Sequence, residues 1–209
     1  MIRLKRRKSA APGIFNTVPT TLTVLHPKGG VSRTTTCMML GSELALRGHR
    51  VALIDKDQGQ HLTRVFNFYP PGLDNLVLGE DPSAVLRIID TAPEVNANRA
   101  LGYLREADFA LVPVKGPEAA SVLAIPLLLE WLDQADGARL LGFLPTMHHP
   151  RRSDSRQWLD ELHKLAAQRG VPVFPAIGNL ASVAAFRLDG HPYAPLAEAV
   201  EGILLGAVV

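Results

Sequence analysis

The chain has 209 residues, of which 47% are hydrophobic and 20% are charged, and its formal net charge is +2. This length suits one well-packed domain and is short for two, and the longest apolar runs, 122–132 and 202–209, stay below the ~20 residues of a membrane-spanning helix. A single cysteine, Cys37, excludes an internal disulfide and a multi-cysteine metal site within one chain. The basic N-terminus lacks the apolar segment of a secretory signal, so we expect a cytoplasmic protein that does not bind membranes.

Residues 1–20 come first in chain order and are predicted to form a flexible basic arm. Without its cations the formal net charge would fall from +2 to −3. Such an arm attracts polyanions, including DNA, with an affinity that falls as salt rises. A merely solvated tail is an alternative that stays open, because short basic runs are unspecific. The cations of the arm are Arg3, Lys5, Arg6, Arg7 and Lys8.

The rest of the chain, 21–209, is predicted to form a single three-layer α/β domain, a mostly parallel twisted sheet with helices on both faces. Apolar runs of strand length alternate with amphipathic segments of helix length, which is typical of this class. The segment 64–84 is rich in turn signals and is expected to carry only short structure. The predicted strands are 21–25, 50–55, 85–90, 107–114, 138–144 and 171–174, and the predicted helices are 34–47, 95–106, 117–135, 153–169 and 193–205.

The run LHPKGGVSRTTT joins the first predicted strand to the first predicted helix. A glycine-rich run in this setting favours a phosphate-binding loop, because the helix N-terminus supplies unpaired N–H groups and a partial positive charge. Its glycines let the backbone approach phosphates, and either Thr34 or Thr35 can place a hydroxyl on Mg²⁺. The predicted phosphate-binding residues are Lys28, Gly29, Gly30, Val31, Ser32, Arg33, Thr34 and Thr35.

Aspartates close two of the predicted strands. Asp55 ends the strand 50–55, with Asp57 two residues on, and Asp90 ends the strand 85–90. Ligands of open α/β sheets bind at the carboxyl ends of the strands, and a strand-end carboxylate suits a water ligand of Mg²⁺. Alternatively, each aspartate caps the segment that follows it. Together with the loop, the strand-end aspartates favour a nucleotide site.

These segments resemble the ParA/MinD family of deviant Walker A P-loop ATPases, over about 21–205. KGGVSRTT is similar to the family loop Lys-Gly-Gly-x-Gly-Lys-Thr-Thr, and RIIDTAPE to its Walker B motif. DKDQGQHLT is similar to the second family motif, although QGQ replaces Pro-Gln-Gly. The chain most resembles the small ParA-type partition ATPases that lack a helix-turn-helix domain. MinD-type proteins end in a basic amphipathic helix, whereas 193–209 has no Lys or Arg.

The resemblance implies a P-loop NTPase fold that binds ATP or ADP with Mg²⁺ and forms a homodimer in the nucleotide-bound state. It implies that Lys28 reaches the nucleotide of the partner subunit, that Arg33 takes the place of the loop lysine, and that Asp55 positions the attacking water. These three are the predicted catalytic residues, and Thr34 and Asp90 are the predicted Mg²⁺ residues, Asp90 acting through water. It also implies non-specific DNA binding on the nucleoid and a ParB-like centromere-binding or adaptor partner, in plasmid or chromosome partition.

A second group of predicted DNA-binding residues, Arg151, Arg152 and Arg156, lies in MHHPRRSDSRQW, 147–158. Arginines that bind phosphates give an affinity that does not depend on DNA sequence. A plain exposed helix start is the alternative.

Two loop residues depart from the family pattern and bear on hydrolysis. Arg33 keeps the positive charge, but a planar guanidinium differs in geometry from the point charge of a lysine. Ser32 carries a Cβ atom where a left-handed backbone would cost about 1–2 kcal/mol. Because positioning supplies most of the acceleration in phosphoryl transfer, we expect nucleotide binding to survive better than hydrolysis. The open functions are a weak Mg²⁺-dependent partition ATPase, a hydrolysis-deficient scaffold or DNA-binding module, and an ATPase that positions a protein cargo.

Overall fold

A computed structural model of the chain describes residues 19–93, 96–178, 186–187 and 190–206. The five cations of the predicted arm lie outside the described residues. The strands are β1 (Thr20–Val24), β2 (Val51–Asp55), β3 (Leu76–Leu78), β4 (Leu86–Asp90), β5 (Phe109–Lys115) and β6 (Arg139–Thr146). The helices are α1 (Arg33–Leu46), α2 (His61–Phe68), α3 (Ala97–Arg105), α4 (Ala119–Leu123), α5 (Ile125–Ala135), α6 (Ser153–Arg169) and α7 (Ala194–Leu204).

The six strands form one parallel sheet in the order β3-β2-β4-β1-β5-β6. Side chains alternate between the two faces of a strand, so within β5 Leu111 joins one apolar core and Val112 the other. Helices α1 and α7 contribute to the first core, and α3, α5 and α6 contribute to the second. The predicted fold class, a parallel α/β sheet with helices on both faces, is confirmed.

The strand predicted at 171–174 is wrong. Val173 pairs with Phe143 in one isolated bridge beside β6. Pro172 has no N–H to donate, so the segment does not extend into a ladder. The sheet still has six strands, because β3 forms an additional one. It lies within the segment predicted to carry only short structure, 64–84, and pairs with β2.

The helix predicted at 117–135 is interrupted, because α4 ends at Leu123 and α5 begins at Ile125. Pro126 lies in the first turn of α5. Proline lacks the N–H that would continue the helical ladder, and its ring clashes with the carbonyl of the preceding turn. Within the described ranges no helix is both long and apolar enough to cross a membrane.

Gly142 allows β6 to approach the chain at Pro172. Its φ is +151°, and a Cβ atom built there would lie 2.6 Å from the Pro172 carbonyl oxygen. The Gly142→Ala variant should therefore lower the free energy of unfolding by about 1–3 kcal/mol, as overpacking does. In the control variant Gly102→Ala, on α3, the added Cβ atom meets nothing within 4 Å, so stability should stay equal or rise by about 1 kcal/mol. Urea denaturation measures both, and equal stabilities would contradict the close-approach argument.

Candidate nucleotide-binding site

Parallel pairing brings three strand ends to one edge of the sheet. In the register, Asp55 at the end of β2 pairs with Asp90 at the end of β4, which pairs with Val24 at the end of β1. The glycine-rich loop leaves β1 at this level and leads into α1. The loop and both aspartates therefore meet at the carboxyl edge, as the sequence predicted.

Two residues of the loop have a left-handed backbone. Gly30 has a φ of +74°, and a Cβ atom built there meets nothing within 4 Å, so the space beside it is open. Ser32 has a φ of 69° and a ψ of 30° and precedes α1, whose N-terminus has no side-chain cap hydrogen bond. The left-handed conformation considered for Ser32 is thus present, with its cost of about 1–2 kcal/mol for a residue that has a Cβ atom.

The Arg33 side chain turns back into the loop. Its Nη1 donates hydrogen bonds to the carbonyl oxygens of His26 and Lys28, the latter at 2.8 Å. Arg33 is buried, and its charge partly offsets the rise in the pKa of Asp90 that burial causes. Two residues before Arg33, the carbonyl of Val31 accepts a hydrogen bond from the hydroxyl of Thr146, at the end of β6, at 3.2 Å.

Thr34 and Asp90, predicted to act together on Mg²⁺, are in direct contact. The Thr34 hydroxyl donates to Asp90 Oδ2 at 2.6 Å, and the half-buried Thr35 lies beside it in the first turn of α1. Asp90 is fully buried, and its Oδ1 accepts no hydrogen bond from any described residue. A hydroxyl beside a buried carboxylate with an unused oxygen is a donor set that suits a hard cation, so the residues present fit Mg²⁺.

The environment of Asp90 favours its neutral form. Burial raises its pKa to about 6, although the hydrogen bond from Thr34 and the charge of Arg33 act in the opposite direction. Asp55 contributes by repulsion, because its carboxylate also faces this edge. A cation bound here would compete with the proton for the carboxylate.

Asp55 contacts its own chain through both oxygens. Its Oδ2 accepts from the N–H and the hydroxyl of Thr63, each at 2.8 Å, and its Oδ1 accepts from the Asp57 N–H at 3.0 Å. Thr63 lies in the first turn of α2, so the contacts of Asp55 match the capping alternative. The water-positioning role stays a prediction.

Lys28 forms an ion pair with Glu118, in the turn after β5, and Lys115 Nζ lies 3.2 Å from the other carboxylate oxygen of Glu118. Sequence reasoning missed Glu118. The available signal was an acidic residue in the turn GPE, directly after a predicted strand.

His26 is a second residue that sequence reasoning missed. It is fully buried beneath the loop, its Nδ1 accepts from the Lys28 N–H at 3.0 Å, and its Nε2 lies 3.1 Å from the Ser121 carbonyl oxygen. Burial is the main reason that its pKa is lowered to about 4. The signal was a polar residue that ends the apolar run TVLH.

The predicted DNA-binding arginines lie where α6 begins, and all three are exposed. Arg152 pairs with Asp154 through two contacts, of 3.0 and 2.5 Å, and Arg156 donates to the Pro150 carbonyl at 3.3 Å. The helix has its predicted bounds. Because Asp154 partly neutralises Arg152, Arg151 is the stronger of the two adjacent candidates.

The raised pKa of Asp90 predicts a pH dependence of stability. Folding raises this pKa from 3.8 to about 6, so the stability contributed by the neutral carboxyl is present below about pH 4 and is lost as the pH rises through about 6. Between pH 4 and pH 8 the wild type should lose about 2 kcal/mol relative to Asp90→Asn, which is neutral throughout. Urea denaturation at a series of pH values measures this difference, and parallel curves for the two proteins would contradict it.

Comparison with known proteins agrees with this geometry. Residues 22–193 match the family described as the CobQ/CobB/MinD/ParA nucleotide binding domain. A search of curated proteins gave no match.

Three solved structures show the same fold. Apo McdA from Cyanothece is 18% identical, with a TM-score of 0.70, over 91% of this chain and 99% of that one. Cobyrinic acid a,c-diamide synthase from Mycobacterium smegmatis, with an ATP analogue and magnesium, is 23% identical, with a TM-score of 0.68, over 88% and 97%. A plasmid partition protein from Borrelia burgdorferi, with AMPPNP, is 17% identical, with a TM-score of 0.69, over 91% and 99%. The chain belongs to the CobQ/CobB/MinD/ParA family of nucleotide-binding domains.

Proposed function

We propose that the chain binds ATP or ADP with Mg²⁺, forms a homodimer in the nucleotide-bound state, and acts as a weak ATPase in plasmid or chromosome partition. The observation that carries the proposal is the Thr34–Asp90 pair at the start of α1. Thr34 donates a hydrogen bond to one oxygen of the buried Asp90 carboxylate, and the other oxygen has no partner among the described residues. The N-terminus of α1 has no side-chain cap hydrogen bond. Helix N-termini bind phosphates, and hard cations bind carboxylate and hydroxyl oxygens. Family membership and the nucleotides bound to two similar structures support it.

The loop from Gly29 to Thr35 is proposed to hold the phosphates through its N–H groups. Thr34 would hold Mg²⁺ directly and Asp90 through water. When bound, the ion neutralises charge on the phosphate oxygens. Asp55 is the proposed water-positioning residue. Thr63 uses Oδ2 twice and the Asp57 N–H uses Oδ1 once, so Oδ1 keeps one acceptor site for a water.

Arg33 is compatible with binding for a geometric reason. Nη1 donates to two loop carbonyls, so the chain holds the guanidinium charge inside the loop, where a phosphate would bind. The charge is spread over a plane, however, and small displacements of a catalytic charge cost large factors in rate. Weak hydrolysis is therefore proposed, and a hydrolysis-deficient scaffold is the second candidate, favoured by the three contacts that Asp55 already makes within its own chain.

Reverting the loop to the family residues tests this reading of hydrolysis. The double variant Ser32→Gly with Arg33→Lys should raise phosphate release at least ~10-fold, equal to about 1.4 kcal/mol of barrier, while nucleotide affinity changes less. Phosphate release and a nucleotide-binding titration, each with and without DNA, measure the two quantities. The binding control is Gly30→Val, which puts a β-branched side chain at a φ of +74° and should weaken binding strongly.

Two results would count against the proposed role of Arg33. If the wild type already hydrolyses ATP as fast as the revertant, Arg33 performs the task of the lysine. If the revertant is inactive while it binds nucleotide, the scaffold function is favoured. Equal nucleotide affinity of Gly30→Val and wild type would remove the phosphate-binding role of the loop itself.

DNA binding is proposed through the exposed start of α6, together with the arm that contains Arg3 and Lys5. Contacts of this kind are to phosphates, so the protein would bind the nucleoid without sequence preference. A ParB-like or adaptor protein is the proposed partner. The cargo-positioning function is the alternative that gains if DNA binding is absent.

Salt dependence tests the DNA proposal. Affinity should be independent of sequence and fall steeply with salt, and Arg151→Ala should reduce the slope of log K against log salt by about 1. Arg152→Ala should have a smaller effect, because Asp154 already pairs with Arg152, and Asp154→Asn should raise affinity. Fluorescence anisotropy with two unrelated duplexes measures each. No binding at moderate salt, or binding insensitive to salt, would contradict the proposal.

A further inference from the structure

Three charged side chains meet beside the phosphate loop. Glu118 pairs with Lys28 through one carboxylate oxygen, and Lys115 Nζ lies 3.2 Å from the other. About a third of each side chain is exposed: 29% for Lys28, 33% for Glu118 and 36% for Lys115. One carboxylate therefore lies between two ammonium groups in a partly exposed place. Its Oε2, next to Lys115, is buried and accepts no hydrogen bond from a described residue, so Lys115 acts on it by charge alone.

The backbone holds Glu118 in this place. Ser121, in α4, donates its N–H to the Glu118 carbonyl at 2.9 Å, and its hydroxyl accepts from the Lys115 N–H at 3.1 Å. His26 Nδ1 accepts from the Lys28 N–H, so Nε2 carries the proton and donates it to the Ser121 carbonyl. The backbone of the turn that bears Glu118 is thus tied to both β5 and the phosphate loop, while the paired side chains themselves stay partly exposed.

In the proposed dimer, Lys28 changes its partner. The family resemblance implies that its ammonium reaches the nucleotide of the partner subunit, whereas Glu118 belongs to its own subunit. When Lys28 leaves Glu118 for the nucleotide, the Glu118 carboxylate still has a counter-charge, because Lys115 remains beside it. We propose that Glu118 is a positioning residue that holds Lys28 in the resting chain and competes with nucleotide phosphate for it, and so limits nucleotide-dependent dimerisation. This inference rests on the proposed function.

The test is dimerisation in AMPPNP and Mg²⁺, measured by analytical ultracentrifugation. Glu118→Gln, which keeps the shape of the side chain and removes its charge, should lower the dimer dissociation constant roughly two- to fivefold, the range of a partly exposed ion pair. Lys115→Ala should raise it, because Glu118 then has Lys28 alone as a partner. The matched control is Glu130→Gln, the same charge change at an exposed position of α5, which should leave the constant unchanged.

A double variant separates positioning from general electrostatics. Lys28→Ala should reduce dimerisation, and adding Glu118→Gln to it should change nothing further, because Glu118 acts through Lys28. Glu118→Asp, which keeps the charge, should behave like the wild type. The inference is overturned if Glu118→Gln and Glu130→Gln have the same dimer dissociation constant, or if Glu118→Gln changes this constant equally with and without Lys28. The proposed function stands in either case. If the wild type binds AMPPNP and stays monomeric, the proposed dimer and this inference both fall.

Discussion

The hydrogen bond from the Thr34 hydroxyl to the Asp90 carboxylate joins the start of α1 to the end of β4. A buried carboxylate needs a hydrogen bond, a counter-charge or a proton, since its ionised form is otherwise costly in a protein interior. Thr34 meets this need for one oxygen, and Arg33 acts on the group by its charge. The other oxygen has no partner among the described residues, which is why a cation fits, and the burial of the group is the main reason that its pKa rises.

Two cations of the loop are held in different ways. Arg33 is buried and bonded to main-chain oxygens, so the chain itself places its charge inside the loop. Lys28 is partly exposed and paired with a side chain, an interaction that solvent weakens. A fixed cation suits a residue that serves its own site. A cation in a weak, local ion pair suits one that changes partner, as proposed for Lys28.

The loop and its neighbour Asp90 contain two unfavourable local features that a purely structural turn would avoid. Ser32 is left-handed although it has a Cβ atom, and Asp90 is buried with an unused oxygen. Strain and unpaired polar atoms persist where the surrounding structure dictates them, and they concentrate at functional sites. Here the surrounding structure is the parallel sheet and α1, which fix both ends of the loop.

The amino-acid sequence by itself determined the α/β class, the place of the phosphate loop and the two strand-end aspartates. Each of these features has a local sequence pattern. Apolar runs of strand length predict the sheet, glycines before a helix predict the loop, and an aspartate at the end of an apolar run predicts a strand-end carboxylate. Helix α6 has its predicted bounds for the same reason. The sequence raised a left-handed backbone at Ser32 only as a condition, and the φ of 69° in the structure shows it.

The tertiary structure alone decided which segment supplies the sixth strand, what Asp55 contacts and what holds Lys28. Strand pairing is a long-range choice, and Pro172 disfavours the segment that looked like a strand. Lys28 and Glu118 are far apart in the chain and meet because β1 and β5 are neighbours in the sheet. No local pattern encodes such a contact, since it depends on the order of the strands, and that order is settled only when the whole sheet is packed.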